Sequence, residues 1–590
     1  MRGAPAVQAP APAQPLQKGN TMGKKLTILH GAHSAILAIV LCAALIAVFL
    51  TGCGSSAYTE DEYDDLSYED AVTELKSLLT KIDVDTVEDP AIDIYSETAS
   101  EADALADIDT FEITVEGNGE INIEIAAATE LTSDSPDDWL NVVAEAFNKE
   151  GYTIDGKTVT VTVRQITSGE AYTYIAAGAY EPDVFIPSNE AWGLMVEASG
   201  ISIEQITDRI AGNTAGVLIE SGTYEEFIEQ YGEATLENIL EAAIAGDLTF
   251  AYTNPYTSST GLNLLAAMLK AFDEDNPLSS EAQEKLLEYQ QTSPPVAYTT
   301  SVLSSQAAKG VINAMVMEEQ AYINTAELAD YVYIPFGIRH DHPVYTFDWC
   351  TDEEQEAAAL FVEYCLTDEN QELAAEKGFN LHDDYESDDP GLDGAGYIAA
   401  QQVWKESKNG GNPIVAVFVA DVSGSMSGEP LSSLKSALVS ASSYIGSDNY
   451  VGLVSYSSSV TINLEIAQFD ATQRAYFSGE VNNLMASGST ATYDAVIVAL
   501  DMLAEAAEEI PDATLMLFVL SDGEQNVGYS INRVTSIIAG MDIPVYTICY
   551  NYDDDNGELA RLSDINEAAA LNAQSDDVVN QLRNLFNVTL

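Results

Sequence analysis

Residues 414–421, IVAVFVAD, are apolar at every position but the last. A strand with one solvated face alternates apolar and polar residues, so an unbroken apolar run of this length belongs to a strand covered on both faces. Such strands form mostly parallel sheets with helices on both sides, and ligands gather in the loops at their C-terminal ends. Here the loop reads DVSGSMSG, 421–428, with a carboxylate at Asp421 and hydroxyls at Ser423, Ser425 and Ser427. A second apolar run, TLMLFVL (514–520), ends in Ser521 and Asp522. NYVGLVSYS (449–457) and PVYTICY (544–550) read as further strands of the same sheet.

Three chemistries compete for the 421–428 loop. Gly424–Gly428 lies between strand and helix, as a nucleophile elbow does. That mechanism needs a general base, usually a His reached later in the chain. The five His are His30, His33, His340, His342 and His382, and none follows Ser427. A phosphate cradle needs G-x-x-x-x-G-K-[ST], which is absent. A cation site remains, because a hard divalent ion takes oxygen ligands from carboxylates and hydroxyls together.

The spacing Asp421, Ser423, Ser425 resembles the D-x-S-x-S motif of von Willebrand factor type A domains. That resemblance implies a metal-ion-dependent adhesion site completed by a Thr and a second Asp on two later loops. ASGSTATYDAV (486–496) offers Thr490, and the 514–524 strand and loop offer Asp522. The expected ligand set is therefore Asp421, Ser423, Ser425, Thr490 and Asp522, holding Mg2+, with Mn2+ or Ca2+ as alternatives. The resemblance further implies a protein partner that presents a carboxylate to the metal.

Upstream, INIEIAAAT (121–129), KTVTVTVRQI (157–166) and PDVFIPSN (182–189) read as strands. SPDDWLNVVAEAFN (135–148), with Ser135 as N-cap, and SGEAYTYIAAGAY (168–180) read as the helices between them. LTFAYTNPYTSSTGLNLLAAMLKAF (248–272) is a strand, a Ser/Thr/Gly turn and a helix. This order, with TNPYTSSTGL (253–262), resembles the extracellular solute-binding proteins of bacterial ABC importers, which have two lobes and a ligand cleft. Thr129, Ser168, Gly169, Ser188, Asn189, Ser258, Ser259 and Thr260 stand at strand-to-helix switches. Singly, such residues cap helices. Together they mark a cleft, and hydroxyls at helix N-termini favour a small anion or carboxylate.

Near the N-terminus, Lys24 and Lys25 precede the apolar stretch AILAIVLCAALIAVFL (35–50), which runs into LTGC (50–53). The segment is short for a membrane span. It resembles the lipobox of bacterial lipoproteins, which implies lipidation of Cys53 and an extracytoplasmic, lipid-anchored location. Residues 53–107 are strongly acidic, with one possible amphipathic helix at 68–82, and are expected to form a solvated tether. The whole chain carries 22 Lys+Arg against 95 Asp+Glu, a net charge of −73. A surface so negative repels phosphate backbones and argues against nucleic acid as a partner.

Cys350 and Cys365 flank TDEEQEAAALFVEY, in which Thr351 and Glu354 form a capping box. A helix between them separates the sulfurs by roughly 22 Å, far beyond the about 7 Å a disulfide allows. The expected architecture is α/β: a two-lobed periplasmic-binding-protein-like domain at 108–405, then a Rossmann-like von Willebrand factor type A domain at 413–590, behind a signal segment at 1–52. A binding role without catalysis is expected, with an importer receptor as the alternative.

Overall fold

The computed structural model describes residues 66–92, 105, 107–133 and 136–573, the last with short interruptions at 293, 298–299, 301–302, 305–306, 308–311, 443–444, 523–524, 551–556 and 566–569. The signal segment, Cys53 and Ser135 lie outside the described residues. Among the described residues, no helix is long and apolar enough to cross a membrane.

The C-terminal domain is built on one seven-stranded sheet. Its order is Val84–Thr86, Val460–Gln468, Tyr450–Tyr456, Ile414–Asp421, Thr514–Ser521, Val545–Tyr550, Ala570–Ala573. All neighbours pair in parallel except Tyr450–Tyr456 with Val460–Gln468. The Ile414–Asp421 strand is buried at every residue. Its pleat divides the core: Val415, Val417 and Val419 pack with the Thr492–Glu509 and Thr535–Met541 helices. Ile414, Ala416, Phe418 and Ala420 face the other way, onto the Glu429–Ala441 and Ala471–Asn483 helices.

Part of the expected tether belongs to this domain. Tyr68–Leu79 is a helix, N-capped by Ser67, whose Ala71, Leu75 and Leu78 are buried in the same cluster as Val417 and Leu503. The helix packs against both the 492–509 and 535–541 helices. Val84–Thr86 then adds the edge strand, Val84 opposite Val460 and Thr86 opposite Ile462. The acidic composition is real, but the three apolar residues at i, i+4 and i+7 form one stripe. Burying that stripe outweighs the solvation of its charged neighbours. The middle domain is consequently inserted between the first and later strands of the sheet that carries the 421–428 loop.

The middle domain has two sheets. The first lobe is ordered Ile113–Val115, Lys157–Gln165, Ile121–Ala127, Val184–Ile186, Val344–Phe347, Ile203–Thr207. The second is Val296–Ala297, Phe250–Thr253, Ala314–Glu318, Ala215–Glu220, Tyr331–Phe336. The chain crosses between lobes at 208–214 and returns at 337–343. There His340 N–H donates to the Asn213 carbonyl (3.0 Å) and His342 N–H to the Ser188 carbonyl (3.1 Å). The Gly394–Ser407 helix then straps the lobes: Tyr397 packs in the first lobe's core and Trp404 in the second's, where its indole N–H donates to the Tyr252 hydroxyl (2.8 Å).

The first-lobe elements form where expected but some are shorter: the strand expected at 182–189 is Val184–Ile186, and the helix expected at 168–180 is Ser168–Ala176. The helix expected from 135 begins at Trp139, after Asp138. Thr351 and Glu354 form the expected capping box on the Asp352–Cys365 helix, and Cys350, Cys365 and Cys549 are free and buried.

Leu75→Ala tests the reassigned segment. It is expected to lower stability by about 2–5 kcal/mol, the usual cost of a truncated core leucine. A urea titration identical to wild type would return residues 68–79 to a solvated role.

Candidate metal site and solute cleft

The parallel register pairs Ala420 with Leu520, so Asp421 ends its strand level with Ser521 and one residue before Asp522. That alignment explains the contacts at the sheet edge. The Ser521 hydroxyl donates to Asp421 Oδ2 (2.6 Å), and Ser423 N–H donates to Asp421 Oδ1 (2.7 Å). The Ser423 and Ser425 hydroxyls are 3.0 Å apart, and Ser425 donates to Asp522 Oδ1 (2.8 Å). Asp421 and Ser423 are buried, whereas Ser425 opens to solvent.

The loop carrying Thr490 is tied to the same edge. Gly424 N–H donates to the Gly488 carbonyl (3.1 Å) and Ser487 N–H to the Val422 carbonyl (2.8 Å). Gly488 has φ +84, and a Cβ there would meet the Ser458 hydroxyl at 2.7 Å, so a side chain is excluded on two counts. Asn526 fixes Thr490: its Oδ1 accepts from Thr490 N–H (3.0 Å), and its Nδ2 donates to Thr490 Oγ1 (3.3 Å). Ser521 and Asn526 were not foreseen. Ser521 was legible as the residue ending the second apolar run, whereas Asn526 sits in a loop whose partner is known only from the fold.

Burial, above all, pushes the Asp421 carboxyl above its ordinary 3.8, and the Asp522 charge adds to this against hydrogen bonds from Ser521 and Ser423. Burial likewise raises Asp522. For an acid raised in the fold, the native state holds the proton more tightly than the unfolded chain. Metal-free stability therefore falls as pH rises through the window above 3.8. A divalent cation held there would offset that penalty at neutral pH, and two carboxylates with three neutral hydroxyls suit a hard ion. The donor set fits such an ion. Gly424–Gly428 holds the buried Met426 at its centre, so no hydroxyl stands at a nucleophile-elbow position.

The middle domain brings six of its eight expected residues around one cavity of ≈160 Å³ between the lobes: Thr129, Ser168, Ser188, Ser258, Ser259 and Thr260. Gly169 and Asn189 serve the frame instead. A Cβ on Gly169 would lie 2.1 Å from the Tyr256 carbonyl, so Gly169 permits close approach of the lobes. Asn189 Oδ1 caps Ala191 N–H (3.2 Å), and its Nδ2 donates to His340 Nε2 (3.1 Å).

The expectation of an anion does not fit this lining. Glu130, Asp137 and Glu318 face the same cavity, without an Arg or Lys among its lining residues. Three of the hydroxyl oxygens also accept hydrogen bonds from the frame. Ser258 caps Gly261 N–H (3.3 Å), Ser259 accepts from the Trp192 indole (2.9 Å), and Ser168 accepts from Ser188 N–H (3.1 Å).

Comparisons with known proteins divide the chain at the same place. The family described as bacterial extracellular solute-binding protein matches residues 129–380, and the von Willebrand factor type A domain matches residues 416–587. The chain joins a solute-binding domain to a von Willebrand factor type A domain. Inter-alpha-trypsin inhibitor heavy chain H3 of Bos taurus is 30% identical over 190 residues, covering 30% of this chain and 21% of that protein. A von Willebrand factor type A structure from Catenulispora acidiphila is 18% identical, covering 30% of this chain and 42% of its own, with TM-score 0.28. Iron-bound HitA from Pseudomonas aeruginosa is 14% identical, covering 49% and 99%, with TM-score 0.36.

Ser521→Ala removes a donor to a buried carboxylate. With EDTA present it is expected to cost about 1–3 kcal/mol at neutral pH and less in acid, where Asp421 gains a proton. Chemical denaturation at the two pH values checks this, and equal losses at both would refute the role assigned to Ser521.

Proposed function

We propose that this protein is a lipid-anchored surface binding protein. Its type A domain engages a protein partner through a divalent-metal site, and its middle domain holds a small solute. One observation carries the metal-site reading. Oxygens from the 421–425 and 521–522 segments meet at one sheet edge, in a hydrogen-bonded chain from Ser521 through Asp421, Ser423 and Ser425 to Asp522, and the loop that carries Thr490 is tied to that edge where Gly424 N–H donates to the Gly488 carbonyl. The similarity to inter-alpha-trypsin inhibitor heavy chains is consistent with a protein-interaction domain.

Asp421, Ser423, Ser425, Thr490 and Asp522 would hold Mg2+, or Mn2+ or Ca2+ in its place. When bound, the ion supplies an electrophilic position for a carboxylate oxygen of the partner. Asp421 and Asp522 contribute two negative charges, and the three hydroxyls contribute none, so the set does not saturate the ion's demand for anionic ligands. Ser521 orients Asp421 from a buried position, and Asn526, which is exposed, orients Thr490. The Ser425 side is the open one, so the partner approaches there.

A second reading is an importer receptor in which the type A domain is accessory. The two-lobed middle domain, with its cavity between the lobes, favours it. In both readings the chain sits outside the cytoplasmic membrane, held by a lipid on Cys53, and performs no catalysis.

Asp421→Ala in the whole chain is expected to abolish Mg2+ binding in calorimetry while leaving the circular dichroism spectrum intact. Surface proteins captured by the wild-type chain in magnesium should elute with EDTA. Unchanged magnesium heats in the variant would reject the site. Metabolic labelling with a fatty acid is expected to disappear in Cys53→Ala, and label that persists would reject the lipid anchor.

A further inference from the structure

The cavity between the lobes shows a pattern that the solute-binding reading leaves unused. Its acceptors outnumber its donors, and the protonation of its histidine neighbours can be read from hydrogen bonds. Asn263 is fixed in orientation, because its Oδ1 accepts from Ile338 N–H (2.9 Å) while its Nδ2 donates to the Ile338 carbonyl (2.7 Å). Asn189 is fixed by its cap on Ala191. Both therefore direct an NH2 group at His340 Nε2, at 3.2 and 3.1 Å. A nitrogen facing two donors must accept, so His340 is the neutral tautomer with its proton on Nδ1. That proton goes to Glu318 Oε1 (2.7 Å). His340 thus orients Glu318 without neutralising it.

Glu130 differs. Burial alone would raise its carboxyl, but the hydrogen bond and charge of His342 outweigh this and lower it, while Glu130 in turn raises His342. The two form an ion pair (3.2 Å) with no net charge. Asp137 is raised, chiefly by burial and then by Glu130, Glu318 and Asp138, as expected where carboxylates crowd together.

Two further atoms point to a ligand. Gln320 is fully buried, and its Nε2 donates to Asp137 Oδ1 (2.6 Å), which turns its Oε1 away from Asp137; that oxygen accepts no hydrogen bond. Thr257 is 5% exposed, and its hydroxyl has no partner. Both residues line the cavity. A buried polar atom left unpaired costs about 1–3 kcal/mol, so such atoms mark where a ligand completes the network.

Resting on the solute-binding reading of this domain, we propose that the cavity takes a small organic cation with primary ammonium groups. Its N–H donors go to Glu318 and Asp137, with Gln320 and Thr257 beside them in the lining. Among the described residues, no three His, Cys, Asp or Glu side chains converge as metal ligands. The carboxylates are instead spread around a space about ten times what one water needs, which suits an amine more than a bare ion. The lining includes no aromatic ring, so the ammonium is recognised by hydrogen bonds and charge rather than by a cation–π cage.

Calorimetry on the whole chain in EDTA tests this, with 1,3-diaminopropane and ethanolamine as amines and sodium sulfate at matched ionic strength. The expected result is saturable binding of an amine at one site per chain and none of sulfate. Glu318→Gln is expected to weaken it about tenfold, the effect of losing one charge-assisted hydrogen bond. Thr257→Val, which buries no new unpaired atom and keeps the fold, is expected to weaken it several-fold. Amine affinity unchanged in both variants would overturn the assigned location. Sulfate binding without amine binding would overturn the cation class while leaving the solute-binding reading standing. Silence toward amines and sulfate alike would overturn both.

Discussion

The double burial of Ile414–Asp421 is the constraint from which the C-terminal domain follows. A strand apolar on both faces needs a layer of helices on each, and its neighbours must be parallel to leave room for the crossovers. Parallel neighbours end on the same side. Once Ala420 is registered with Leu520, the carboxylates after the two strands cannot avoid each other. The site is thus a consequence of sheet register, and the hydrogen bonds of Ser521 and Ser423 make that proximity tolerable for a buried acid.

Much of this was legible in the residues because the signals are local. Unbroken apolar runs mark the strands, oxygen-rich loops follow them, and Thr351 with Glu354 marks a helix start. What was not legible depends on partners far away in the chain. Ala71, Leu75 and Leu78 carry a helical stripe, but the surface they cover belongs to residues more than four hundred positions later. Acidic composition suggested solvent, and tertiary burial overrode it. In the cleft the error had another source. Hydroxyls at helix starts are conspicuous in a sequence, and six of them do line the cavity. Their bonds to neighbours are invisible there, as is the convergence of Glu130, Asp137 and Glu318 from three separate segments.

The inserted topology changes what counts as a domain in this chain. Residues 413–590 alone lack the edge strand Val84–Thr86 and the helix that packs on the 492–509 and 535–541 helices, so that fragment exposes apolar surface the whole chain buries. The middle domain hangs between two connections to the same sheet. At the second of these, positive-φ Gly410 and Gly411 pass beside Gln291 and Leu287 of the second lobe before Ile414 enters the sheet.

Net charge and local chemistry act over different distances here. At physiological salt the field of an exposed charge is screened within about 8 Å, so a net charge of −73 enriches cations near the surface without selecting among them. Selection has to come from buried groups, where water no longer competes. Asp421, oriented by Ser521 and Ser423, and Glu318, oriented by His340, share that design. Each is a carboxylate fixed by neutral donors that leave its charge uncancelled. A salt bridge would have stabilised either acid by cancelling its charge, as the Glu130–His342 pair illustrates beside Glu318.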